Sequence, residues 1–278
     1  MNYIKKKRKE IDVCNICGEV KKLSWDHVPP KAILIEPNTF ANTLFSSGEL
    51  PTSIHHMAHF QNGIKYRTIC LDCNNVVLGK NDEGLKEFFE NVKHKLGHLD
   101  ELTKDYIEIN VQINKVLRAI CGHFLAMSEL PYDQNEVEVK LREYVLDETL
   151  RTDSIKLYSW FYPYKTILNV RNITVSGFEE KTHPKGFISV MESFPLAFMI
   201  SSENESVCHL DDISSWSTNN IEDSVTIRLT LGSAYYPGTS ILKQFNWPVN
   251  TSNEKFGAMF VLGNEEELKS SRIATTKK

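Results

Sequence analysis

The sequence has no long apolar run. Its best stretch, "FPLAFMI" at 194–200, falls far short of the roughly 18 residues a membrane helix needs. The basic start "MNYIKKKRKEIDVC" has no apolar segment behind it, so it does not read as a secretory leader. No membrane association is expected, and the cytoplasm is the expected compartment. An excess of positive charge is also lacking: 32 Lys and Arg face 36 Asp and Glu, a net −4, which excludes the strongly basic composition of many nucleic-acid binders. Internal repeats are missing too. Cysteine is scarce, with six in 278 residues, and without an oxidising compartment disulfides are not expected.

What is present is unevenly placed. Residues 1–105 carry 15 Lys/Arg against 14 Asp/Glu, and residues 106–278 carry 17 against 22, giving +1 and −5. The basic residues of the first part are clumped: "KKKRK" at 5–9, Lys21 with Lys22, and Lys65 near Arg67. Such clumps hold phosphates even on a neutral domain, although 5–9 reads equally well as a solvated tail. Four of the six cysteines form two C-x-x-C pairs, Cys14/Cys17 and Cys70/Cys73, with 52 residues between them. Four thiolates satisfy a tetrahedral Zn²⁺ in a closed, structural site. Cys121 and Cys208 stand alone in apolar surroundings and read as small core residues.

Texture divides the chain near residue 105. Before it, "LSW" and "IKYRTIC" read as short strands, and residues 36–64 read as irregular and turn-rich. Asn74 and Asn75 suit a helix start. Gly79 reads as an interruption, with Asn81 or Asp82 capping a second helix that runs to Gly97. Beyond 105, apolar spacing predicts a helix over 114–127, stopped by Pro131, and another over 136–151. Strand-like segments follow from about 154, where Trp160, Phe161, Tyr162 and Tyr164 read as strand core. The expected fold class is α+β: an N-terminal domain over 1–105, a helix-then-strand C-terminal domain over 106–268, and a basic tail at 269–278.

Between the cysteine pairs stands "WDHVPP". Neighbouring residues on a regular strand face opposite sides, so Asp26 and His27 can share a site only where the backbone leaves regular geometry, as prolines would make it do. C-x-x-C, then "DHVPPK", then "TICLDCNNVVLGKND" resembles the HNH nucleases, the ββα-metal group with a zinc clamp. The resemblance covers roughly residues 12–95.

That resemblance implies metal-dependent hydrolysis of phosphodiester bonds in nucleic acid, with DNA the expected partner. His27 would be the general base, and a histidine titrating near neutrality suits that work. Asp26 and Asn74 would ligate a catalytic Mg²⁺ or Mn²⁺, and Cys14, Cys17, Cys70 and Cys73 the structural Zn²⁺. The family's middle residue has two candidates, Asn62 first and His59 second, with His55 and His56 as outsiders. Its further helix histidine is not found near Leu78; Asp82 would serve if the chain folds back at Gly79, and otherwise reads as a helix N-cap. Lys31, Lys65 and Arg67 are candidate nucleic-acid contacts. His94 and His98, four apart, read as a frayed helix end around Gly97. By the same resemblance the C-terminal domain would supply specificity, a homodimer contact or a regulatory partner, as in restriction or phage-defence effectors. The competing expectation is a zinc-stabilised module that binds nucleic acid or protein without catalysis.

Overall fold

A computed structural model describes residues 8–33, 38–43, 58–61, 64–97, 106–128, 130–152, 155–162, 167–175, 186–201, 210–230 and 258–262. The elements are β1 (Ile11–Val13), β2 (Val20–His27), β3 (Asn38–Thr43), β4 (Ala58–Gln61), β5 (Lys65–Cys70), α1 (Gly79–Leu96), β6 (Tyr106–Val111), α2 (Ile113–Met127), α3 (Glu136–Leu146), β7 (Lys156–Phe161), β8 (Ile167–Val175), β9 (Gly186–Ser193), β10 (Leu196–Ser201), β11 (Asp211–Asp212), β12 (Val225–Thr230) and β13 (Ala258–Leu262). The fold is α+β. None of the described helices is long and apolar enough to cross a membrane.

Three antiparallel sheets organise these strands. A small sheet runs β1-β2-β5, a large one runs β11-β7-β10-β9-β8-β13-β3-β4, and β12 pairs with β6. The segment read as irregular, 36–64, therefore contains a paired β3–β4 ladder, Asn38↔Gln61 to Ala41↔Ala58. Its short strands lie among prolines and glycines and show no apolar alternation, and β3 pairs on its other side with β13, more than 200 residues away in sequence, beyond the reach of local pattern.

Gly79 is not a break. A π-helical turn, Cys73–Leu78, runs directly into α1; the wider turn accommodates the glycine without leaving helical geometry. Asp82 accordingly sits inside the helix rather than capping it. The helix read over 136–151 ends at Leu146, with Asn135 as its N-cap accepting from the Glu138 amide at 3.0 Å.

The core is shared along the chain. Helix α2 is apolar nearly all round and buried along its length, as a central helix must be. It shares one hydrophobic core with Phe88 and Phe89 of α1, with Leu23 and Ile69 of the small sheet, and with Leu157, Met191 and Phe198 of the large one. The Phe89 and Phe198 rings lie 6.0 Å apart. Trp160, Phe161 and Tyr162 are buried, as strand-core residues are expected to be, and so is Cys121. Tyr164 and Cys208 lie outside the described residues.

Candidate metal centre and a buried Asp-His-Asp network

Cys14 follows β1, Cys17 closes the turn before β2, Cys70 ends β5 and Cys73 opens the π-helical turn. Their sulfur atoms all lie within 4.8 Å of one another. Cys17 and Cys70 Sγ are 3.9 Å apart, close to the about 3.8 Å separation of sulfurs in a tetrahedron with 2.3 Å bonds. The four cysteines are thus gathered as a group able to hold a metal ion such as zinc.

Local backbone geometry builds the knuckle. The Gly18 amide donates to Cys14 O at 3.0 Å and the Cys14 amide to Glu19 O at 2.9 Å. Gly18 has φ +75°, and a Cβ there would lie 2.6 Å from the Tyr132 ring; both facts require glycine. The Cys70 amide donates to Cys14 Sγ at 3.2 Å. A hydrogen bond from the Cys73 thiol, helped by backbone amides, outweighs burial and holds the Cys14 thiol down to about 5. Burial pushes Cys17 up to about 11, and donation to Cys14 together with burial pushes Cys73 up. One sulfur is therefore poised as thiolate, the form that ligates metals.

Strand β2 carries Asp26 and His27 away from this knuckle. Its ladder with β5 slips: Ser24 faces Ile69, while Asp26 faces Tyr66 and His27 faces Lys65. Arg67 and Thr68 together oppose Trp25, which is a bulge in β5, and bulges twist a ladder and re-aim side chains. The irregularity thus lies on the partner strand opposite Trp25, while Asp26 and His27 stand in consecutive register at the end of β2, ahead of Val28 and the two prolines. Asp26 is buried and His27 half-buried, yet His27 Nε2 is shielded from solvent and has no hydrogen-bond partner among the described residues. Burial, reinforced by the positive charges of Lys65 and Lys31, lowers its pKa below the usual histidine value despite Asp26.

Asn74 lies in the π-helical turn, and its Nδ2 donates to Ser24 Oγ and Trp25 O, both at 3.1 Å. It ties the helix entrance to the residues just before Asp26. Those bonds use the amide N–H groups, so Oδ1 is the atom with lone pairs to offer. Asp26 and Asn74 both present oxygen, which suits a hard divalent cation in kind. Lys31 and Lys65 are exposed. Arg67 is half-buried and lies 5.3 Å over the Trp25 ring, with its guanidinium also donating to Arg8 O. Arg8, from the basic clump, donates to Asn15 Oδ1 at 2.6 Å and pairs with Asp12 at 3.2 Å. Asn62, His55, His56 and His98 lie outside the described residues. His59 falls on β4, where only the backbone is described.

The residue that sequence reasoning missed is His123. Its Nδ1 lies 3.1 Å from Asp26 Oδ2 and its Nε2 lies 2.9 Å from Asp82 Oδ1. The ring is wholly buried. Burial alone would lower its pKa, but the carboxylates of Asp82 and Asp26 override that and raise it to about 10. Gly122 eases the placement: a Cβ there would come within 2.0 Å of Leu78 Cδ2, so a larger residue would force the Leu78 side chain to move. A signal was available, since His123 is a titratable group inside an otherwise apolar helical run, and buried polar groups demand partners. Asn169 of β8 was missed as well; its Nδ2 donates to Val28 O at 2.7 Å.

No known protein family, curated protein or solved structure matches this chain.

Proposed function

We propose that this protein is a zinc-stabilised, metal-dependent endonuclease of the HNH type that hydrolyses phosphodiester bonds in DNA. The observation that carries the reading is the adjacency, at the end of β2, of a buried Asp26 and a His27 whose shielded Nε2 has no partner among the described residues. A histidine held neutral with a free ring nitrogen is equipped to take a proton from an attacking water.

In this reading Cys14, Cys17, Cys70 and Cys73 hold Zn²⁺, which fastens the entrance of β2 to the entrance of the helix carrying Asn74. Asp26 and Asn74 would hold Mg²⁺ or Mn²⁺, which when bound supplies Lewis-acid stabilisation of the developing phosphorane charge and of the leaving 3′ oxygen. His27 accepts the water's proton. Lys65, directly opposite His27 in the ladder, and Lys31 and Arg67 hold the phosphate backbone against the site. Asn62, or His59 in its stead, would orient the base. A restriction or phage-defence effector is the biological role this reading fits.

The test is incubation of supercoiled plasmid and of a matched RNA with the purified protein in Mg²⁺, Mn²⁺ or EDTA. Divalent-dependent conversion of plasmid to nicked and linear forms is expected. Binding of nucleic acid without cleavage under any ion would instead support the non-catalytic zinc module.

A further inference from the structure

We infer that His123 and Asp82 are positioning residues for Asp26, so that the proposed site is completed by a helix lying outside the HNH-like segment. The inference rests on the nuclease reading and deepens it. Three titratable groups from three elements, β2, α1 and α2, meet in one line: Asp26 Oδ2, the His123 ring and Asp82 Oδ1, at 3.1 and 2.9 Å. Both ring nitrogens are committed, so the imidazole can neither rotate nor slide without breaking a contact. Asp26 therefore has Oδ2 fixed by His123, and no described residue is recorded in a hydrogen bond to its Oδ1.

Stability alone is a poor reason for this arrangement. Burying charged or titratable groups costs several kcal/mol each, and well-packed apolar replacements are often neutral or stabilising. The network is instead placed where orientation matters, beside His27. It is also braced from other directions. Val28, immediately after His27, has its amide on Ile64 O at 3.1 Å and its carbonyl held by Asn169 at 2.7 Å. At the far end of α2, Asn15 of the cysteine knuckle donates to Leu125 O at 3.1 Å and Ser128 O at 2.6 Å. The helix that carries His123 is thus clamped to the same knuckle that sets the start of β2. Residues that orient a ligand in this way typically change metal affinity about ten- to a hundred-fold when removed.

The experiment uses the full-length, zinc-loaded protein and its His123→Leu and His123→Gln variants. Mn²⁺ affinity is read by electron paramagnetic resonance of the free ion, beside plasmid nicking, zinc content and thermal midpoint. Leucine fills the space without donors, and glutamine retains one N–H for Asp26. Both variants are expected to keep zinc. Mn²⁺ affinity and nicking should fall about ten- to a hundred-fold in His123→Leu, with partial recovery in His123→Gln. Should the leucine variant lose zinc, the glutamine variant decides: zinc-loaded, it should still bind Mn²⁺ more weakly than wild type. Wild-type Mn²⁺ affinity in a zinc-loaded variant, with the parent active, would overturn the inference and leave the nuclease reading intact. A rise in affinity would overturn it too, making His123 a competitor of the ion. A parent protein that neither nicks nor binds Mn²⁺ would overturn the nuclease reading and the inference with it.

Discussion

Asp26 and His123 are 97 residues apart in sequence and 3.1 Å apart in space, carboxylate oxygen to ring nitrogen. The contact joins the strand that carries the proposed base to the central helix of the core. It makes the site and the hydrophobic core one structure, and the consequences below follow from that and from the chemistry of neighbouring groups.

The four-cysteine centre should bind a single zinc per chain and supply folding energy. Structural zinc in small domains contributes about 10–16 kcal/mol of binding energy at neutral pH. Cys73→Ser is expected to lose the metal and to lower the thermal midpoint by at least about 10 °C, given roughly 2–4 °C per kcal/mol for chains of this order. Elemental analysis beside calorimetry checks both.

Nucleic-acid binding should show the electrostatics of a few contacts on a chain of net negative charge. Lys31→Ala and Lys65→Ala are each expected to weaken plasmid binding similarly for all sequences. Each should also reduce the slope of log K against log salt by about 1. Arg67→Ala should do more than this, because it also removes the guanidinium stacked on Trp25. Fluorescence anisotropy across a salt series measures the slopes.

The Arg171–Glu138 ion pair fastens α3 to the large sheet, with both side chains buried. Glu138→Leu alone leaves Arg171 buried without its carboxylate and should cost about 3–5 kcal/mol. Glu138→Leu combined with Arg171→Met should recover most of that loss, because no uncompensated charge remains. Urea unfolding of the three proteins gives the comparison.

Glu192 gives a pH dependence of its own. It is buried on β9, and burial raises its pKa to about 8, against a hydrogen bond from Tyr162 that lowers it. The unfolded chain ionises this group near pH 4.5 while the folded protein holds the proton to about 8. Its contribution is thus fully present below about 4.5 and is lost as pH rises through 8. Glu192→Gln, which mimics the protonated form, should raise the thermal midpoint by several degrees at pH 9 and leave it near wild type at pH 4.5. A midpoint equally raised at both values would contradict the ionisation account.

The parts of the fold that were legible in the sequence are those whose signals are local. Strand β5 alternates and α2 carries an apolar run, so each appears where its pattern predicts, whereas β2, read only as "LSW", extends over Val20–His27. The cysteine pairs gave the metal-capable cluster because ligand spacing is itself a local code. Two features depended on distant partners and were not legible. Strands β3 and β4 have weak patterns of their own; β3 is held by β13, and β4 by β3. Continuity through Gly79 comes from a π-helical turn against which α2 packs closely at Gly122. Asp82 illustrates the result: read locally it is a helix cap, and only the arrival of His123 gives its carboxylate a different partner.

The most direct measurement is the initial rate of Mn²⁺-dependent plasmid nicking by wild-type protein and by His27→Ala, both shown to hold zinc. The account predicts a fall of at least about a hundredfold on loss of the general base, with zinc content and thermal midpoint unchanged. Equal rates in the two zinc-loaded proteins would contradict it, because His27 would then not carry the proton on which the proposed reaction depends.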